Sequence, residues 1–238
     1  MNIEEIGKTL PELKEVWRFT YSSYLKKGLC HPNPYRMLRH FPGFDESEHT
    51  HIYVARNGTA GNGKAGIIGT LSLTTDSEKG LPIPEEFSGD LTRIKQEYPD
   101  SRLGVAWRAI HDGTNSGIRK PDIFYRLIDC AVETGVEKGL DVLLFDYHPN
   151  HHSFYNKVLG LERVSETVQI GSLNEAKAIL AQGPREVIVN YWGSFCRTQG
   201  IYSNVPETYH LRPDIEPKRT SPRGAFDNLN IACAPDND

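Results

Sequence analysis

Asp141-Val142-Leu143-Leu144-Phe145-Asp146-Tyr147-His148-Pro149-Asn150-His151-His152-Ser153-Phe154-Tyr155-Asn156-Lys157-Val158-Leu159-Gly160-Leu161-Glu162 is the segment on which the fold turns. Its apolar run, Val142 to Phe145, lacks the polar alternation of a half-exposed strand and predicts a buried strand of the parallel type. After Pro149 the chain predicts a short helix over 150–160, stopped by Gly160, the residue best suited to a left-handed helix end. Upstream, Pro121 suits a first helical turn. Ile123, Phe124, Leu127, Ile128, Ala131 and Val132 then give one apolar helix face that ends near Gly139. Helix and strand together predict a crossover unit. Arg102 to Ile110 precede it, with Leu103, Val105, Trp107 and Ala109 alternating with Gly104, Ala106, Arg108 and Ile110, the pattern of a central strand carrying one arginine.

Working outward, apolar residues Leu10, Leu13, Trp17, Tyr21, Tyr24 and Leu25 recur at helical spacing and predict a helix between residue 2 and about 27, with Pro11 restarting it. Residues 30–50 are rich in Pro, His and aromatics and predict short helical turns lining a pocket wall. His51–Arg56 and Ala65–Thr74, joined through Asn57-Gly58, predict a hairpin. A helix is expected over 90–98. Beyond residue 160, Leu161–Ile170 and Arg185–Tyr191 read as strands around a helix at 173–181. The expectation is one α/β domain over residues 1–210 and an extended tail over 211–238, where Pro, Asp, Asn and Arg replace apolar residues.

Composition narrows the function. The chain has 238 residues, 38% hydrophobic and 24% charged, which suits a globular protein with a substantial core and excludes a disordered or fibrous one. Lys and Arg number 27 against 31 Asp and Glu, so no global positive field exists to hold a nucleic acid. Cys30, Cys130, Cys196 and Cys233 form no CxxC pair, which points to a reduced, cytoplasmic protein. The acidic, amphipathic start does not resemble a secretion signal. No apolar run approaches the roughly 20 residues of a membrane span.

Three chemical motifs fail on context. Gly61-Asn62-Gly63-Lys64-Ala65-Gly66 satisfies GxGxxG, but a strand follows it where a dinucleotide site needs a helix N-terminus. His148, His151 and His152 crowd a strand-to-helix junction without three convergent metal ligands, so helix capping accounts for them and no metal is expected. A GxSxG nucleophile elbow is absent.

The quoted segment resembles GNAT-type N-acyltransferases, in which a buried strand meets a short helix carrying FYxxxxG. Within that superfamily it is most similar to N-acyl amino acid synthases and to acyl-homoserine-lactone (autoinducer) synthases, through His148-Pro149, Phe154-Tyr155 and Leu159-Gly160-Leu161. Ala65 to Leu73 is similar to their GxVVGTLRL strand, Leu81-Pro82-Ile83-Pro84 to the LP segment after it, and Trp107-Arg108-Ala109-Ile110 to their SRLAI strand. The resemblance covers residues 15–170. There are two departures. Val105 and Ala106 stand where that strand often carries a glutamate, and His111 to Lys120 lacks the Q/RxxGxG/A pyrophosphate loop of acetyl-coenzyme A enzymes, keeping only Gly117-Ile118-Arg119-Lys120.

The resemblance implies a GNAT-like α/β fold, with a central splayed, mostly antiparallel sheet flanked by helices. It also implies transfer of an acyl group, of fatty type, to the amine of a small molecule, with an amino acid as the expected acceptor. No tightly bound cofactor is implied. The donor is an acyl thioester of acyl carrier protein or of coenzyme A. Without an amide nest for a diphosphate, Gly117, Arg119 and Lys120 suit the single phosphate of a carrier. Lys26, Lys27, Arg36 and Arg39 form either a carrier-docking patch or ordinary solvated charges.

Residue roles follow the same resemblance. Tyr155 is the candidate acid for the leaving sulfur or a core aromatic beside Phe154. His111, or a water chain, is the candidate base. Backbone N–H groups from Arg108 through Ala109 to Ile110, beside Trp107, face the thioester carbonyl. Arg108 needs a partner if buried, either a structural carboxylate or a substrate carboxylate. Phe41 and Phe44, with Tyr35, Met37 and Leu38, line an acyl groove or pack the core. The rival functions are a coenzyme A-dependent acetyltransferase and a catalytically inactive acyl- or carrier-binding module.

Overall fold

A computed structural model describes residues 1–57, 66–112 and 120–205, with the side chain of Lys120 excepted. The elements in chain order are β1 (Asn2–Glu5), α1 (Leu10–Lys26), β2 (Thr50–Arg56), β3 (Ile67–Thr75), α2 (Ser88–Glu97), β4 (Leu103–His111) and α3 (Lys120–Glu137). They continue as β5 (Val142–Tyr147), α4 (His152–Leu159), β6 (Glu162–Arg163), β7 (Val168–Ile170), β8 (Ala176–Pro184) and α5 (Arg185–Gln199). The strands lie in the order β1-β2-β3-β4-β5-β8-β6, with β7 also on β8. Every pairing is antiparallel except β4 with β5, which are parallel and joined by the α3 crossover. The mixed, mostly antiparallel sheet flanked by helices is the architecture expected from sequence.

Three local expectations are corrected. Residues 2–5 are an edge strand on β2, with Asn2 opposite Arg56, and the helix begins only at Leu10. The break is built in: the Glu12 carboxylate accepts from the Thr9 backbone N–H at 3.0 Å and from the Thr9 hydroxyl at 2.7 Å, while Pro11 occupies the first turn. Residues 30–48 contain turns and bends but no helix.

The third correction reverses two elements. Residues 176–184 are strand β8, and 185–199 are helix α5, opposite to the sequence reading. Ala, Lys and Leu favour a helix in isolation, yet 176–184 supplies the partner that the far edge of β5 requires, pairing from Val142↔Pro184 to Tyr147↔Ile179. Tertiary pairing overrides local propensity there. In α5 the β-branched Val187-Ile188-Val189 mimics a strand. Its buried residues Ile188, Val189, Trp192, Phe195 and Cys196 instead recur at helical spacing.

The sheet separates two cores. One contains Phe124, Leu127 and Ile128 of α3, Tyr155 and Val158 of α4, and Trp192 of α5, packed on Phe145, Tyr147 and Ile179. On the other side, Trp107, Val105, Leu144 and Leu180 pack with Phe87 and with Ile94 of α2. Leu13, Val16 and Trp17 of α1 cover Ile52 and Val54 of β2. Gly160, at φ +66°, ends α4, and a Cβ there would lie 2.7 Å from Val187 Cγ1. The glycine thus provides both the left-handed turn and the close approach of α4 to α5.

Candidate active site

The site begins where two paired strands part. Parallel pairing of β4 with β5 runs from Leu103↔Val142 to Ala106↔Phe145 and stops. Beyond that point β4 continues along β3 to His111, while β5 continues along β8 to Tyr147. A bulge drives the parting. Ser72 faces Trp107 and Thr70 faces Ile110, so Arg108 and Ala109 together oppose only Leu71, and Arg108 takes φ +55°. Such an extra residue bends its strand and leaves local backbone groups outside the ladder.

Between the splayed ends lies a cavity of about 490 Å³, bordered by Ala106 to His111 of β4, by Phe145 to Tyr147 of β5 and by His148 just after it. Ala109 is the exposed residue of an otherwise buried β4. The cavity reaches both sheet faces. On the helical face its wall holds Phe124 of α3, Tyr155 of α4 and His111; on the opposite face it holds Trp107, Asp146, His40, Ile170 and Ala178.

Tyr155 is buried, its ring stacked on Tyr147 with centroids 4.4 Å apart and edge-on to Phe124 at 6.0 Å. His111 lies edge-on to Phe124 at 5.9 Å. The structure therefore brings Tyr155 and His111 onto one wall, as it does Trp107, Ala109 and Ile110 onto the β4 rim.

Arg108 is paired within the protein. Its Nη2 donates to Asp45 Oδ1, and both side chains are fully shielded from solvent. Trp17 Nε1 donates to the other carboxylate oxygen at 2.7 Å, and the guanidinium lies 4.2 Å from the Trp107 ring centre. Asp45 thus ties α1 to β4. Phe41 and Phe44 stand off the cavity wall: Phe41 stacks on His40 at 4.4 Å and meets Trp107 edge-on at 5.4 Å, with Phe44 behind it.

Gly117 and Arg119 lie outside the described residues, as does the side chain of Lys120. Of the basic residues near α1, Lys27 borders the cavity, whereas Arg39 pairs with Glu46 and lies over Trp17. Lys26 is 3.8 Å from Asp112.

His40 and Asp146 border the cavity and carried no role in the sequence reading. Burial, with the Arg108 charge nearby, lowers the His40 imidazole to about 3, and its Nδ1 shares a 3.2 Å hydrogen bond with Tyr24. Burial raises the Asp146 carboxyl to about 6, against its own backbone N–H. His148 caps the turn after β5, its Nδ1 accepting from the Asn150 backbone, and both His148 and His151 border the cavity. Burial together with His148 and Lys27 lowers His151 to about 4. His40 and His151 are therefore neutral at physiological pH. Among the described residues no three His, Cys, Asp or Glu side chains converge for a metal ion, and no helix is long and apolar enough to cross a membrane.

A sheet that opens at a bulge beside a crossover helix, with an aromatic-walled cavity in the opening, defines the fold, that of the GNAT acyltransferases. Residues 15–183 match the family described as "N-acyl amino acid synthase FeeM", and the chain belongs to that family. It is an N-acyltransferase. Among solved structures it is similar to FeeM, an N-acyl amino acid synthase from uncultured soil microbes, with a TM-score of 0.63 at 19% identity, covering 78% of this chain and 95% of that one. It is also similar to MesI, a CoA-dependent acyl-homoserine lactone synthase, with a TM-score of 0.57 at 15% identity, covering 86% and 98%. An acyl-CoA N-acyltransferase from Pseudomonas aeruginosa superposes with a TM-score of 0.50 at 15% identity, covering 76% and 99%. No curated protein matches the sequence.

Proposed function

We propose that this enzyme transfers a fatty acyl group from an acyl-carrier-protein thioester to the α-amine of an amino acid. The observation that carries the reading is the cavity in the β4–β5 opening, which joins an apolar chamber to a strand edge without a ladder partner. At about 490 Å³, with Phe124, Phe145, Ile110, Ile170 and Leu173 in its wall, it has far more apolar room than an acetyl group fills. Membership in the N-acyl amino acid synthase family supports the amino-acid acceptor. Support for a carrier donor is the poor diphosphate loop in the sequence and the position of Lys27 at the cavity.

The proposed chemistry uses the cavity as follows. The amine nitrogen attacks the thioester carbonyl carbon, and the C=O π pair moves onto oxygen, where N–H groups of the bulged β4 receive the oxyanion. Collapse breaks the C–S bond. The Tyr155 hydroxyl protonates the departing sulfur and regains a proton from the nitrogen of the adduct. His111, on the Tyr155 wall, is the base candidate from sequence.

The donor is tested with carrier-protein and coenzyme A thioesters of matched chain length, from acetyl to long-chain. The long-chain carrier thioester should give a kcat/KM at least about tenfold above the others, a difference of about 1.4 kcal/mol in transition-state stabilisation. Preference for acetyl-coenzyme A would make the enzyme an ordinary acetyltransferase.

A further inference from the structure

Asp146 is the first residue of β5 beyond the last β4–β5 pair, Ala106↔Phe145. It lies opposite Leu180 of β8 and shares a sheet face with Trp107, so it sits at the vertex of the opening. Five of the six β5 residues are buried; Asp146 alone keeps partial exposure, and it borders the cavity. Carboxylates enclosed by protein are normally paired with a cation or with donor side chains. Among the described residues, no side chain donates to or forms an ion pair with Asp146, and Arg108, the guanidinium in the same wall, is held by Asp45. A carboxylate kept unpaired in a mostly apolar chamber costs folding free energy, and a visiting cation would compensate it. An amine acceptor is such a cation at neutral pH: the α-ammonium of a free amino acid is less acidic than a chain terminus, whose pKa is about 8.

We propose that the Asp146 carboxylate holds the acceptor's ammonium at the vertex of the opening and removes its proton. The assignment rests on the N-acyl transfer reading and supplies the base in place of His111. Proton bookkeeping then closes. Of the two protons the ammonium loses on becoming an amide, the first passes to Asp146 before attack. The second leaves the tetrahedral adduct for Tyr155 as Tyr155 protonates the sulfur. Asp146 returns its proton to solvent through the cavity mouth. The two proton-handling groups lie on opposite sheet faces, so donor and acceptor meet across the strand edge. A raised carboxyl pKa of about 6 leaves Asp146 ionised at neutral pH yet a better base than an exposed aspartate.

The test compares wild type with Asp146→Asn, which keeps the shape and removes the charge. The acyl donor is a long-chain thioester, and the acceptors are an amino-acid mixture and, separately, hydroxylamine, which is largely unprotonated at neutral pH; because hydroxylamine also cleaves thioesters without enzyme, its rates are those above a protein-free control. The variant should lose about 100-fold or more in kcat for amino acids. It should retain hydroxylamine acylation and the donor KM, and melt at the wild-type temperature or above. Undiminished acylation of amino acids, equal loss with both acceptors, or a clearly lowered melting temperature would each overturn the assignment while leaving the acyltransferase reading intact. A wild-type enzyme that acylates neither acceptor would remove that reading, and Asp146's role with it.

Discussion

Arg108→Ala and Asp45→Ala should each destabilise the fold by roughly 3–5 kcal/mol, as breaking one side of a buried ion pair does. Neither side chain retains solvent contact, so the surviving partner would be an unpaired charge inside the protein. Asp45→Ala also strips Trp17 Nε1 of its acceptor, adding about 1–3 kcal/mol for a buried unsatisfied donor. The combined replacement Arg108→Met with Asp45→Leu should recover the part of the loss owed to the orphan charge, while the unpaired Trp17 Nε1 keeps its cost. Urea denaturation of the two corresponding single variants and the pair gives the coupling energy directly. If Arg108→Ala instead unfolds normally but raises the acceptor KM, the arginine serves a substrate carboxylate.

Tyr155→Phe should lower kcat about 100-fold while leaving the donor KM within about twofold. The substitution removes one oxygen and keeps the ring, so the stacking on Tyr147 and the edge contact with Phe124 persist. Stability should therefore change by no more than about 1 kcal/mol, the scale of one net hydrogen bond. A loss confined to kcat marks a group acting in the transition state. Unchanged turnover would make Tyr155 one of the packing aromatics between α3, α4 and β5.

The helix, strand and helix over 121–160 were legible because each carries its own period: the apolar face from Ile123, the continuous run Val142 to Phe145, and Gly160 as terminator. The edges were less so. β8 has helix-forming residues whose conformation is decided by β5, which lies far upstream in the chain in every pair, from Val142↔Pro184 to Tyr147↔Ile179. β1 is four residues long and exists only as a partner of β2. In the candidate site, Tyr155 and the Trp107–Ile110 strand were readable because they fall within a family motif. Asp45 carried one indirect sign, the need of a buried Arg108 for a counter-charge. Asp146 sat in plain view inside the deciding segment. Its meaning depends on where the β4–β5 ladder ends, and that is set by a bulge in β4 that no residue pattern announces.

Amide formation in the β4–β5 opening is the activity proposed for this enzyme. The deciding measurement is release of free thiol, with mass-spectrometric detection of product, from the purified protein given a long-chain acyl thioester and an amino-acid mixture. Stoichiometric thiol and N-acyl amino acid are predicted. Absence of thiol release with carrier-protein and coenzyme A thioesters alike, while the protein still binds acyl carrier protein, would contradict it and leave a binding module in the acyltransferase fold.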